Sequence, residues 1–315
     1  MKHLTQFITE YIVKKKLDKT IDSEKHYEYY PKTKEELVET IEKLINDETY
    51  DLNCIDTSEI TDMSSLFSNK YTNDVMIKVD VSEWNVINVE NMKDMFQNCK
   101  EFNCDLSNWD VSNVINMNNM FCSCYKFNCD LSNWNVSKVK DMSHMFYICE
   151  SFEGKGLENW DVSKTIWMNA MFYKCKNLTC DLSKWDVSNG QDMNHMFDQC
   201  NNFNCDLSNW NVSKVEDMNG MFLLCKNFEG KGLENWNVSK VENLSHMFQH
   251  CEKFNCDLSN WKISKCENFN KMFFNCKNFD VKCVESWGKK INTWADKFEM
   301  FYKMKNTPSW YKSKK

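Results

Sequence analysis

The sequence predicts a repeat solenoid: short stacked β-strands joined by helical or 3-10 turns, closed at the N-terminus by a helical cap. Tryptophans at positions 84, 109, 134, 160, 185, 210, 236, 261 and 287 recur every 25 or 26 residues. Met-Phe pairs keep the same beat from Met95-Phe96 to Met272-Phe273, each followed three residues after its phenylalanine by a cysteine, Cys99 through Cys276. Composition agrees. Of 315 residues 14% are aromatic, while only 7 are Gly and 2 are Pro, which excludes collagen-like and proline-rich linker material.

One unit, Phe102 to Lys126, shows the logic. Its apolar positions are Leu106, Trp109, Val111, Val114, Met117, Met120, Phe121 and Cys124. They are too irregular for one helix and too sparse for one long strand. Trp-x-Val is a period-two strand fragment, and Val-x-x-Met-x-x-Met-Phe is a strand running into a single helical or 3-10 turn. Such a unit can bury its apolar face only against its neighbours. Eight full units are flanked by a degenerate first turn, Leu52 to Phe67, and a degenerate last one, Val281 to Phe301. The stretch Ser151 to Lys164 recurs at Asn227 to Lys240, which marks a duplicated three-unit cassette. The extra residue of the longer units falls in Glu-Gly-Lys-Gly, expected as a surface loop where insertion costs little.

The motif Phe-Asn-x-Asp-Leu-Ser-x-Trp-Asp-Val-Ser-x-Val-x-x-Met-x-x-Met-Phe-x-x-Cys resembles the BspA-type leucine-rich repeats, in the subfamily found in Mycoplasma lipoproteins, gut bacteria, phages and giant viruses. The resemblance spans Leu52 to Val284. It implies a right-handed, leucine-rich-repeat-like solenoid with a binding or adhesion role. Cys104, Cys129, Cys180, Cys205 and Cys256 stand where that family often has glycine.

Three segments follow. Residues 1–48 form the helical N-terminal cap. Leu4, Phe7, Ile8, Tyr11 and Ile12 line one face of an amphipathic helix. In a second helix Thr33 and Glu36 make a capping box ahead of the Leu37, Ile41, Leu44, Ile45 stripe, which ends near Asn46-Asp47. Residues 49–287 are the solenoid of about nine repeats. Residues 288–315 are a basic aromatic C-terminal cap and tail of net charge +6, against −2 for residues 1–48 and −7 for the whole chain, so the repeat body is acidic. No apolar run is long enough to span a membrane and no signal peptide is read, so a cytoplasmic or virion-associated location is expected over a secreted one.

All 39 basic residues are lysine, which removes any arginine clamp on phosphate or carboxylate. The acidic body makes nucleic acid an unexpected partner. Seventeen cysteines, an odd number, are expected as buried reduced thiols, although stacked turns would also permit disulfides. The Asp of Asp-Leu-Ser (Asp80, Asp105, Asp130, Asp181, Asp206, Asp257) and the following Asp or Asn (Asp110, Asn135, Asp161, Asp186, Asn211, Asn237) are expected as hydrogen-bonded turns, not as calcium ligands. His144, His195 and His246 share one phase two turns apart, roughly 10 Å by strand spacing, too far for one metal ion to join. Every chemically capable residue type occurs in many equivalent copies, whereas catalysis needs one asymmetric site. No enzyme activity, cofactor or metal site is therefore expected.

The expected function is recognition of an unidentified protein or glycan across an extended solenoid face. The alternative is a structural surface or virion component acting as a rigid spacer. Specificity is placed at positions that differ between otherwise matching units: Asn119, His144, Ala170, His195, Gly220 and His246 before Met-Phe, and Asn113, Lys138, Lys164, Asn189, Lys214 and Lys240 after the Ser.

Overall fold

A computed structural model of the chain describes residues 26–312. The Leu4 to Lys16 segment lies outside them. Helix α1 (Lys34–Asn46) starts where Thr33 Oγ1 accepts the Glu36 amide, and Leu37, Ile41, Leu44 and Ile45 are its buried stripe. The Glu36 carboxylate reaches back to the amide of Lys32, one residue beyond the Thr33 amide of a reciprocal capping box.

Beyond α1 the chain is a repeat fold built almost entirely of turns. Short stacked strands were expected, yet the described residues hold only single parallel bridges and no strand. Apart from Tyr29–Ile55 and Asp51–Asp80, the bridges form one row through Asp62, Asn91, Asn116, Asp141, Trp167, Asp192, Asp217, Asn243, Asn268 and Asp296. The physical reason is a left-handed residue at two points in every unit, before Met-Phe and before the cysteine: Asn119 has φ 55° and Ser123 φ 62°. Extended backbone cannot run through such residues.

The amides divide instead. Met117, Asn119, Phe121 and Ser123 donate to the carbonyls of Asp141, Ser143, Met145 and Tyr147 in the next unit. The intervening Met120, Cys122 and Cys124 bond back three residues to Met117, Asn119 and Phe121. The same four-donor junction repeats from Met63 to Asn275, so the stacked backbone is satisfied without a strand. Aspartate and asparagine side chains tie the turns as expected. Asp105 and Asp110 accept the Ser107 and Ser112 amides at 3.0 Å, and Asn116 caps Asn118 in a third such row.

The core is a set of ladders. Phenylalanines from Phe67 to Phe301 stack with ring centroids 5.2–5.9 Å apart. Each of the nine regularly spaced tryptophans donates its indole N–H to a carbonyl one unit back, from Trp84 on Leu52 to Trp287 on Leu258. Trp310, out of register in the sequence, makes the same bond to Val284 at 3.0 Å and is the tenth rung. The inner thiols donate likewise. Cys124, Cys149, Cys175, Cys200, Cys225, Cys251 and Cys276 lie 2.7–3.0 Å from the preceding unit's Phe carbonyl, a contact alanine could not make.

The outer cysteines solve a different problem. Cys129 and Cys205 sulfurs accept the amides of Leu106 and Leu182 at 3.2 Å. In the longer units the equivalent amides of Leu131 and Leu207 go to the carbonyls of Lys155 and Lys231 at 3.1 Å. The Glu-Gly-Lys-Gly stretch is therefore not a loose loop: Gly154, Gly156 and Leu157 are buried. Burial pushes the outer thiols up, to about 12 for Cys104 and about 11 for Cys129 and Cys205, which keeps them protonated and unreactive at neutral pH. Among the described residues no helix is long and apolar enough to cross a membrane.

Candidate binding face

Asn119, His144, Ala170, His195, Gly220 and His246 occupy equivalent left-handed positions, with φ between 51° and 58°. The backbone is the same at all six while the side chain changes. Each histidine turns to the residue three further on. His144 packs on Tyr147 with centroids 5.5 Å apart, His195 Nδ1 lies 3.0 Å from Asp198 Oδ2, and His246 Nδ1 lies 2.5 Å from Gln249 Oε1. Gly220 belongs to the same arrangement. A Cβ there would sit 2.6 Å from the His195 ring, so its absence lets the imidazole lie over the next turn.

The second row behaves differently. Asn113 and Asn189 donate to the carbonyls of Ile87 and Ser163 at 2.7 Å, and Lys138 and Lys214 are tied to those two asparagines. Lys164 and Lys240 are exposed. No hydrogen bond or ion pair joins this row to the histidine row among the described residues.

The structure adds residues the sequence reading passed over. The position directly after Met-Phe also varies, through Tyr147, Tyr173, Asp198 and Leu223. Tyr147 and Tyr173 stack at 4.5 Å, and Lys174 sits over the Tyr173 ring at 5.3 Å. Trp167 takes the bridge position that every other unit gives to Asp or Asn, and it is 44% exposed. That break in the Asp/Asn row was visible in the sequence. The turn loses its side-chain cap there and presents an indole to solvent instead.

Asp198 is 2% exposed, and its Oδ1 has no hydrogen-bond partner. The hydrogen bond to Asp198 holds the His195 imidazole above its usual range, while burial lowers His144 in the same phase. Burial raises the Asp198 carboxyl. A histidine with a raised folded value stabilises the fold below about 6.5 and loses that contribution as pH climbs through the folded value. A raised buried carboxyl costs stability once ionised, so both groups act in one direction. Relative to Asp198→Asn, the wild-type protein is expected to lose stability as pH rises above about 6.5. Urea midpoints on either side of that value check this; a difference that does not change with pH would uncouple the pair from folding.

Among the described residues no three His, Cys, Asp or Glu side chains converge to hold a metal ion. A family model described as Mycoplasma protein of unknown function, DUF285, matches residues 35–155, 149–232 and 213–312. No curated protein matches. Among solved structures, the crystal structure of a TLR13–ssRNA13 complex is similar at 12% identity and a TM-score of 0.20, over 77% of this chain and 44% of that one. The chain thus spans less than half the length of that neighbour.

Proposed function

The chain belongs to the family of Mycoplasma proteins of unknown function, DUF285, whose model covers nearly all of its repeats, and we propose that it is a non-enzymatic, leucine-rich-repeat-like solenoid that recognises a protein or glycan across its stacked turns. One observation carries the reading: side chains differ from unit to unit on a backbone that does not, along the row from Asn119 to His246. A specific interface needs roughly 800 Å² per partner, and several stacked turns offer that as a preorganised surface. The Tyr147–Tyr173 stack and exposed Trp167 supply aromatic anchors of the kind that dominate interface energetics.

The test is capture from the producing cell and on a glycan array, with wild-type protein and a His144→Glu, His195→Glu, His246→Glu variant whose melting curve is unchanged. A partner held by the wild type and lost by the variant supports the reading; equal capture by both overturns it. The unbroken bridge row and core ladders also suit a rigid spacer. Sedimentation with particles or envelope, undisturbed by the same substitutions, would favour that reading.

A further inference from the structure

We propose that the C-terminal end of the stack docks an acidic, turn-forming segment of a partner polypeptide, which adds to the array as one more unit. The observation is an unfinished junction. At every internal junction four alternate amides of one unit donate to the carbonyls of the next, as Phe269, Lys271, Phe273 and Asn275 do to Asp296, Phe298, Met300 and Tyr302. The last unit keeps the conformation that aims these donors outward. Glu299 and Lys303 are left-handed at φ 50° and 59°, like their counterparts in every unit before them. Met300, Tyr302 and Met304 close the usual bonds within the turn. Among the described residues the amides of Glu299, Phe301 and Lys303, equivalent to Lys271, Phe273 and Asn275, have no acceptor.

The other end of the stack is covered by α1, whose Lys34 reaches Ser64 and Asp62. At the C-terminal end the described residues cross one side: Trp310 bonds Val284, and the Tyr311 hydroxyl bonds the Lys297 carbonyl. A cleft of 950 Å³ stays open beside the unmatched amides, lined by Trp294, Phe298, Tyr302, Lys303, Tyr311 and Lys312. Trp294, Phe298 and Tyr302 are 63%, 51% and 52% exposed.

These features define the occupant. Unmatched N–H groups at alternate residues call for carbonyls at alternate residues, the logic of strand addition at a sheet edge. Exposed aromatic rings call for apolar side chains. Residues 288–315 carry net charge +6, which selects an acidic segment over a basic one. The site is separate from the histidine row and does not depend on it.

The chain itself contains a natural probe. Residues 216–224, EDMNGMFLL, already supply carbonyls at Asp217, Asn219, Met221 and Leu223 to the preceding unit. The experiment uses this peptide, acetylated and amidated, with a scrambled control, and follows amide exchange of the full chain by NMR. In the free protein, Glu299, Phe301 and Lys303 should exchange about 100-fold faster than Lys271, Phe273 and Asn275, and saturating peptide should slow them at least about tenfold. Lys303→Glu together with Phe298→Ser, on a chain that melts normally, should weaken peptide binding about tenfold. Three results would overturn the proposal. The first is no protection by millimolar peptide. The second is equal protection by the scrambled control, which would mean charge alone. The third is protection that grows with protein concentration in the absence of peptide, which would make the occupant a second copy.

Discussion

Trp185→Ala is expected to remove about 3–5 kcal/mol of unfolding free energy, read from urea denaturation. Trp185 is 1% exposed and is stacked between Trp160 and Trp210, each 6.4 Å away, with Phe172 tilted against it at 6.1 Å. Truncation opens a cavity between rigid turns that cannot close in, because the backbone junctions on both sides fix their spacing. It also strips the Leu157 carbonyl of its indole donor at 2.8 Å. Trp185→Phe separates the two effects: it keeps most of the apolar volume and is expected to cost about 1–2 kcal/mol, mainly the lost hydrogen bond. Position matters as well. In a stack where each unit touches only its neighbours, Trp310→Ala should fray the last unit and cost less than the central substitution. Equal costs at Trp185 and Trp310, or a cost below about 1 kcal/mol at Trp185, would contradict a ladder core coupled from unit to unit.

Much of this core was legible from spacing alone. Trp109, Met120, Phe121 and Cys124 recur because each fills one fixed slot, and burial agrees at 0–1% exposure. The Asp105 and Asp110 turns were legible too, because a short acceptor two residues before a serine amide has a strong local preference. The strands were misread for an equally physical reason. Trp-x-Val carries the alternation of a strand, but the path is set by left-handed residues at positions such as Ile148, Lys174, Gln199 and Leu224. None of these types favours that conformation, and β-branched Ile148 disfavours it. The junction hydrogen bonds impose it, and no single unit contains both halves of a junction. Trp310 escaped because its register is shortened by the end of the array. Asp198 escaped because its pairing with His195 depends on the left-handed turn between them, which the sequence does not announce. The variable face was therefore legible as a row of differing letters, while the pairings within it were not.

The clearest reversal concerns Glu-Gly-Lys-Gly, and it yields the second large effect. Read as an insertion between units, the stretch should tolerate change at every position. In the structure Gly156 has φ 93°, and a Cβ on it would lie 2.2 Å from the Ser132 backbone nitrogen and 2.6 Å from the Leu131 carbonyl carbon. Neither atom belongs to a flexible side chain, so relief requires moving the preceding unit. That movement would also pull the Lys155 carbonyl away from the Leu131 amide. Backbone strain and overpacking together put Gly156→Ala at about 2–5 kcal/mol of destabilisation. Gly232→Ala, with the same φ and the same 2.2 Å approach to Ser208, should match it. Lys155 lies between the two glycines of its stretch, but its ammonium points to solvent and pairs with Asp130 at 2.7 Å, with its side chain 68% exposed. Screened surface pairs of this kind contribute little, so Lys155→Ala should leave the unfolding transition where it is. Thermal melts of the three variants decide the matter. If the glycine substitutions are silent, the stretch is the tolerant loop its sequence suggests; if only they unfold the chain early, it is a wedge that holds two units in register.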